Sequence, residues 1–271
     1  MAVAIRNGTK VWQRRDRRAQ FATWGSYLVG VAIFIYCWNL ISDKTIWAFV
    51  LDAPTQAADL GARMIPPDWG SIQGLWRPIW DTLNIATLGT VMAIVLAVPV
   101  AYCAARNTTP SVAFVRPLAL FIIVSSRSIN SLIWALMLVV IVGPGVLAGI
   151  LAIGLRSIGF CAKLLYEAIE EIDERQVEAV RATGASRAQV TAYGIVPQVL
   201  PAFAGISVFR WDINIRESTV VGLVGAGGIG LPLNAALTSL AWTQVSLILL
   251  IVIATVVVSE WVSAKVRHAI I

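Results

Sequence analysis

Glu178-Ala179-Val180-Arg181-Ala182-Thr183-Gly184, closed further on by Val196-Pro197, is a charged island in an otherwise apolar chain. A polar run that opens on an acid and carries a glycine at its centre is poorly suited to hydrocarbon, where unpaired polar groups are costly. It is well suited to meeting a soluble partner beside a membrane. Gly184-Ala185-Ser186 interrupts the helical pattern and predicts a short helix–turn–helix within a loop over about 175–196. Pro197 and Pro201 suit the start of the helix that follows, where a missing N–H matters little.

Working outward, the flanks set the class. The chain has 271 residues, of which 58% are hydrophobic and 13% charged, and these values place it among integral membrane proteins. A bilayer core needs about 20 apolar residues per helix. Six stretches qualify: roughly 23–42, 82–105, 117–142, 146–166, 200–221 and 243–263. The expected fold is therefore all-α, a polytopic membrane protein with about six transmembrane helices. Residues 1–22 form a basic tail, 23–42 the first transmembrane helix, 43–80 an outer interfacial segment and 81–271 the core. The first span is too long, and its preface too basic and long, for a cleaved signal peptide. Trp47, Trp69, Trp76 and Trp80 suit the headgroup layer, which places 43–80 along the outer interface.

The formal charge is +6, and its distribution argues against nucleic acid. Arg6, Lys10, Arg14, Arg15, Arg17 and Arg18 precede the first span. Arg106, Arg116, Lys163, Arg175, Arg181, Arg187, Lys265 and Arg267 fall on the same side if there are six spans, against Lys44, Arg63 and Arg77 on the other. The positive-inside rule then puts both termini and the 175–196 loop in the cytoplasm.

Chemistry-bearing sets are sparse. Cys37, Cys103 and Cys161 lie within apolar spans without metal-ligand spacing, so buried packing is expected. One histidine, His268, excludes a Ser-His-Asp set and leaves no catalytic or metal site to assign. The acidic run Glu167, Glu170, Glu171, Asp173, Glu174 and Glu178 reads as a solvated helical face, with no histidine to make it a metal cluster. Gly89, Ala93, Ala97, Ala101 and Ala105 make a four-residue stripe that predicts close helix packing. No G-x-x-x-x-G-K-[ST] loop is present for ATP.

Four arginines interrupt the spans: Arg127, Arg156, Arg210 and Arg216. On insertion scales each costs about 2.5–3.5 kcal/mol at mid-bilayer, which demands a partner, a wet cavity or the interface. Arg156 reads as structurally neutralised. Arg127 with Asn130, and Arg210 and Arg216 with Asn214 and Ser218, suggest an anion pathway, because guanidinium matches phosphate-like oxygens. The alternative is internal bridging, for example Arg216 with Asp212 at helical spacing. Gly225, Gly227 and Gly230 spell G-x-G-x-x-G, but they follow a membrane span and no acid stands about 20 residues on, so a dinucleotide site is rejected. With Gly228 they predict a tight re-entrant turn or hinge, a candidate outer gate.

The island resembles the E-A-A-x-x-x-G loop of ABC importer permeases, matching at Glu178, Ala179, Gly184, Val196 and Pro197. Gly194 stands where an isoleucine is usual, which predicts a looser exit from the loop. Residues 60–271 are most similar to phosphonate transporter permeases, on Arg127-Ser128-Ile129-Asn130, Arg181-Ala182-Thr183-Gly184-Ala185, Tyr193 to Pro201 and, above all, Asn214 to Gly230. Methionine and quaternary-amine permeases carry shorter relatives of the last run. The resemblance implies a type I ABC importer permease core in the bacterial inner membrane. It also implies a second copy of the chain, two cytoplasmic ATPase subunits that use ATP and Mg, and an external phosphonate-binding protein. No cofactor is expected on this chain. Glu178, Ala179, Arg181, Gly184, Ala185, Ser186 and Arg187 become the ATPase-coupling residues. The rivals are the same machine with methionine or a quaternary amine as cargo, an integral-membrane enzyme, and a passive channel.

Overall fold

The computed structural model describes residues 2–6, 8–13 and 17–270, with side chains at 8 and 18–268. Arg14 and Arg15 lie outside the described residues, as do the side chains of Arg6, Lys10 and Arg17. Two units divide the chain, Met1–Ala62 and Arg63–Ile271.

The first unit opens with an antiparallel hairpin, β1 (Ala2–Arg6) and β2 (Thr9–Gln13), so the all-α reading applies from Arg17 onward. Helix α1 (Arg17–Lys44) is long and apolar enough to cross a membrane. Cys37, expected to be buried, is exposed on it. Helix α2 (Trp47–Arg63) continues the unit, and the indole of Trp47 donates to the Ser42 carbonyl at 3.2 Å.

The second unit is an antiparallel helix bundle. Its elements are α3 (Ile72–Ala104), α4 (Val115–Ser128), α5 (Ser131–Val142), α6 (Val146–Glu170), α7 (Glu174–Ala182), α8 (Arg187–Val190), α9 (Val196–Gly222), α10 (Gly230–Thr238) and α11 (Trp242–Ile270). Asp68 caps a single 3-10 turn, Trp69–Ser71, ahead of α3. Hydrogen bonding from Ser71 holds its carboxyl below the usual carboxylate range. Helix α3 thus begins about ten residues before the expected span, and Trp76 and Trp80 lie in its first turns.

Contacts define two poles. At one, the Arg106 amide donates to Glu170 Oε1 at 2.8 Å, Asn107 Nδ2 to the Ile169 carbonyl at 2.6 Å, and Arg116 Nε to the Ala104 carbonyl at 3.0 Å. These join the end of α3, the start of α4 and the end of α6. At the other pole Gly145 N donates to the Gly225 carbonyl at 3.0 Å and Asp68 N to the Thr243 carbonyl at 3.2 Å. Hence α3, α4 with α5, α6, α9 and α11 each run between the poles. Among the described residues, α1 included, five helices are long and apolar enough to cross a membrane, and six spans result when the bent α4–α5 pair is taken as one.

The span expected as continuous over 117–142 is broken: α4 and α5 meet at 89°. Ile129 and Asn130 are extended, and Asn130 Oδ1 accepts from Leu132 N at 3.1 Å, capping α5. An asparagine just before an apolar run is a helix-start signal, and it overrides the continuity of the hydrophobic pattern. The acidic run is also divided: α6 ends at Glu170 and Asp173 caps α7 by accepting from Arg175 N at 3.0 Å.

Bundle packing rests on small residues. Gly89, Ala93, Ala97 and Ala101 are buried along α3, and a side chain at Gly89 would meet Ile153 Cγ2 at 3.1 Å and the Ile150 carbonyl at 3.2 Å. A Cβ at Gly149 would stand 2.4 Å from the Ala226 carbonyl. In lipid, such close approach replaces the hydrophobic drive that packs helices in water. We expect Gly149→Val to lower the thermal midpoint of the detergent-solubilised protein, since overpacking typically costs about 1–3 kcal/mol. Gly205→Ala, whose added Cβ meets nothing within 4 Å in the interior of α9, does not lower the midpoint.

Candidate functional site

The polar island is an exposed helix–turn–helix at the pole that holds the ends of α3 and α6. Helix α7 ends through Thr183, and Gly184 follows with φ +80, a left-handed conformation that glycine adopts without Cβ strain. Ser186 then caps α8 in a capping box: Gln189 N donates to Ser186 Oγ at 3.4 Å, and Ser186 N to Gln189 Oε1 at 2.8 Å. Val177, Val190 and Ile195 are buried in the apolar cluster beneath, together with Ala101, Leu165 and Ile169. Glu178, Ala179, Arg181, Gly184, Ser186 and Arg187 face outward, and Ala185 is half-buried.

The exit of this loop is clamped, contrary to the looser exit expected from Gly194. Residues Thr191–Ile195 form a π-helical turn. Gly194 is buried, with the Val177 backbone 3.4 Å from where its Cβ would stand. Gln198 Nε2 donates to the Gly194 carbonyl at 2.7 Å, and the Asp173 amide donates to Gln198 Oε1 at 3.0 Å. An isoleucine would fill the space that lets α7 approach. Beside this clamp a cleft of about 530 Å³ opens, lined by Asn107, Thr108, Thr109, Arg181, Arg187 and Thr191 among others.

Within the bundle, the candidate pathway residues separate into two groups. Arg210, Asn214 and Ser218 are buried on one side of α9. Arg210 Nε donates to Ser157 Oγ at 2.9 Å, its guanidinium lies 4.9 Å from the Phe160 ring centre, and it pairs with Glu217 at 3.4 Å. Asn214 Nδ2 donates to Thr90 Oγ1 at 2.7 Å while its Oδ1 accepts from Ser157 Oγ at 3.1 Å. Ser218 Oγ donates to the Ile215 carbonyl at 2.7 Å. These bonds tie α3, α6 and α9 together through polar atoms sealed from lipid.

Arg127, Asn130 and Arg216 remain accessible. Arg216 pairs with Asp212 at 2.7 Å, the bridge that helical spacing allowed, and Ser259 of α11 donates to the other Asp212 oxygen at 2.9 Å. Arg127, in the last turn of α4, has no ion pair among the described residues, and its stem lies against Gly159. Glu217 and Arg156, which the sequence did not single out as pathway residues, join this network: Arg156 pairs with Glu217 at 2.5 Å and donates to Ser131 Oγ at 3.3 Å. The signal available in the sequence was the acid one residue beyond Arg216 and one helical face away from it.

The glycine run folds back into the bundle. Gly225, Gly227 and Gly228 have φ between +73 and +94. Ala226 to Gly230 are buried, and Ile229 N donates to Thr82 Oγ1 of α3 at 2.8 Å. Among the described residues no group of histidine, cysteine or carboxylates is placed to hold a metal.

The second unit is thus a bundle of membrane-length helices with a buried polar seam and a charged helix–turn–helix at one pole. The family model for the binding-protein-dependent transport system inner membrane component matches residues 97–268, and the chain belongs to this family of multi-pass inner-membrane permeases. Among its relatives is the phosphite transport system permease protein PtxC of Stutzerimonas stutzeri, 39% identical over 87% of this chain and 84% of that protein. The putative phosphite transport system permease protein HtxC of the same organism is 33% identical over 94% and 88%. The phosphate-import permease protein PhnE of Mycolicibacterium smegmatis is 37% identical over 82% of this chain and 42% of that longer protein. In solved structures, the inward-facing MetNI methionine ABC transporter matches with TM-score 0.66 at 23% identity, over 75% of this chain and 99% of that chain. That likeness establishes a shared fold.

The seam predicts an asymmetric response to mutation. Asn214→Leu keeps the branched outline of the side chain, adds some volume and removes both amide bonds, and a lost buried hydrogen-bond partner costs about 1–3 kcal/mol. We expect a clear fall in thermal midpoint in detergent. Arg175→Gln, which alters an exposed contact at 4.0 Å to Asp173, leaves the midpoint unchanged.

Proposed function

We propose that this chain is the transmembrane permease subunit of an ATP-driven ABC importer for phosphonates or related phosphorus oxyanions such as phosphite and phosphate. The observation that carries the reading is the match, over most of the chain, to permeases named for phosphite and phosphate transport. Physical chemistry points the same way. Guanidinium groups inside a membrane bundle favour oxyanions and oppose a cationic amine.

Two copies of the chain would enclose the pathway. Two cytoplasmic ATPase subunits, carrying ATP and Mg, would bind the helix–turn–helix at Glu178, Ala179, Arg181, Gly184, Ala185, Ser186 and Arg187. An external binding protein would deliver the cargo. Arg106, Arg116, Lys163, Arg175, Arg181 and Arg187 belong to the coupling pole, which supports a cytoplasmic location for it. With α1 as a sixth crossing, both termini share that side. Arg127, Asn130 and Arg216 are the accessible polar side chains of the pathway, and Arg210, Asn214 and Ser218 hold its wall from behind. The loop Gly225, Gly227, Gly228 and Gly230 closes the outer end.

Because Val177 and Val190 anchor the loop in the apolar cluster, a push on α7 would pass directly into α6 and α9. Reconstitution with the ATPase and binding protein in liposomes tests the cargo. We expect ATP-dependent uptake of phosphonate, phosphite or phosphate and none of methionine or betaine; uptake of a control compound instead overturns the cargo. A second test addresses coupling. Gly184→Asp adds a charged side chain at the exposed turn and should abolish co-purification of the ATPase while membrane insertion persists. Normal co-purification and uptake would remove the coupling role.

A further inference from the structure

The break between α4 and α5 gathers more positive charge than the bundle neutralises. Arg156 and Arg210 share the single carboxylate of Glu217, through Oε1 and Oε2 respectively. Arg127, on the last turn before the break, packs its stem against Gly159, one helical turn beyond Arg156 on α6. It has no acidic partner among the described residues. Arg156 and Arg210 therefore share one carboxylate inside the spans, where an uncompensated charge is expensive, and Arg127 adds a third guanidinium on the neighbouring helix.

The two arginines on Glu217 differ. Arg210 is a fixed post: its side chain is 4% exposed, bonded to Ser157 and covered by the Phe160 ring. Arg156 is 31% exposed, and its remaining protein partner is the Ser131 hydroxyl at 3.3 Å. Ser131 is the first residue of α5, whose N-terminus adds partial positive charge at the same place. Arg156 can thus turn toward an incoming anion while Glu217 stays held by Arg210.

Resting on the phosphorus-oxyanion reading, we infer that the accessible Arg156 beside the start of α5 is a transit site for a tetrahedral oxyanion, with Glu217 as the internal counter-anion that holds Arg156 when cargo is absent. Cargo displaces Glu217 Oε1 from Arg156 and departs when Glu217 returns. The exchange keeps the arginine paired throughout, so the anion is neither trapped by a bare charge nor excluded by an uncharged wall. A neutral or cationic solute lacks the means to displace Glu217.

The test uses the complete transporter in liposomes, with phosphite and methylphosphonate as probes and ATPase co-purification as the measure of assembly. Arg156→Gln should slow maximal uptake about tenfold to a hundredfold, the loss expected for one charged hydrogen-bonding partner. The double variant Arg156→Gln/Glu217→Gln separates site from scaffold. Because Glu217→Gln also leaves Arg210 without its carboxylate, the double variant is read where its thermal midpoint and ATPase co-purification match the unmodified transporter; uptake that stays slow there marks a missing anion ligand. Wild-type uptake by the double variant overturns the inference. Should the double variant fail to assemble, Arg156→Lys decides: it retains the charge for Glu217 but loses the planar fork, so slowed uptake supports the site and wild-type uptake overturns it. Absence of phosphite and methylphosphonate uptake by the unmodified transporter is a different failure, that of the cargo assignment itself.

Discussion

The carbonyl of Ala226 lies where a side chain on Gly149 would have to be, and much of the bundle depends on that approach. Helices in lipid gain little by hiding apolar surface from one another, so contact must come from shape and polar bonding. Glycine and alanine on α3 and α6 let the two helices meet along their length. The loop after α9 can then enter the bundle at Thr82 and Gly145 rather than lie over it. This tight seam brings α9 close enough for Asn214 to reach both Thr90 and Ser157.

That closeness makes buried charge tolerable. Arg210 stands in an environment that would reject an isolated cation, yet it meets a carboxylate, a hydroxyl and an aromatic face. Removing one member would expose the desolvation penalty of the others, so such networks hold their geometry strictly. The more accessible pairs, Arg156 with Glu217 and Arg216 with Asp212, surround this fixed centre. The result is a sealed polar centre with more accessible charged pairs at its margin.

At the pole of the charged helix–turn–helix the same economy of small residues appears in another form. Gly184 supplies a left-handed turn, and Gly194 gives α7 room to pack against the start of α9. The outward face keeps its charges while Val177 and Val190 tie it to the bundle interior. Both ends of the loop are thereby fixed to the bundle.

Membrane class, helix number and the position of the charged island followed from composition and hydrophobic period, since hydrocarbon imposes length and polarity on each segment directly. The small-residue stripe from Gly89 to Ala101 was equally legible, because its spacing is a property of one helix. Other features arose between segments. The 89° break at Ile129–Asn130 hid inside an unbroken hydrophobic run, and the acidic stretch after Glu167 was divided by a cap that periodicity does not register. Arg156 and Glu217 lie 61 positions apart, and no local pattern links them. The chain alone determined that arginines inside these spans need partners; which carboxylate each arginine found, and which arginine kept a face free, was decided only when α6 and α9 packed side by side.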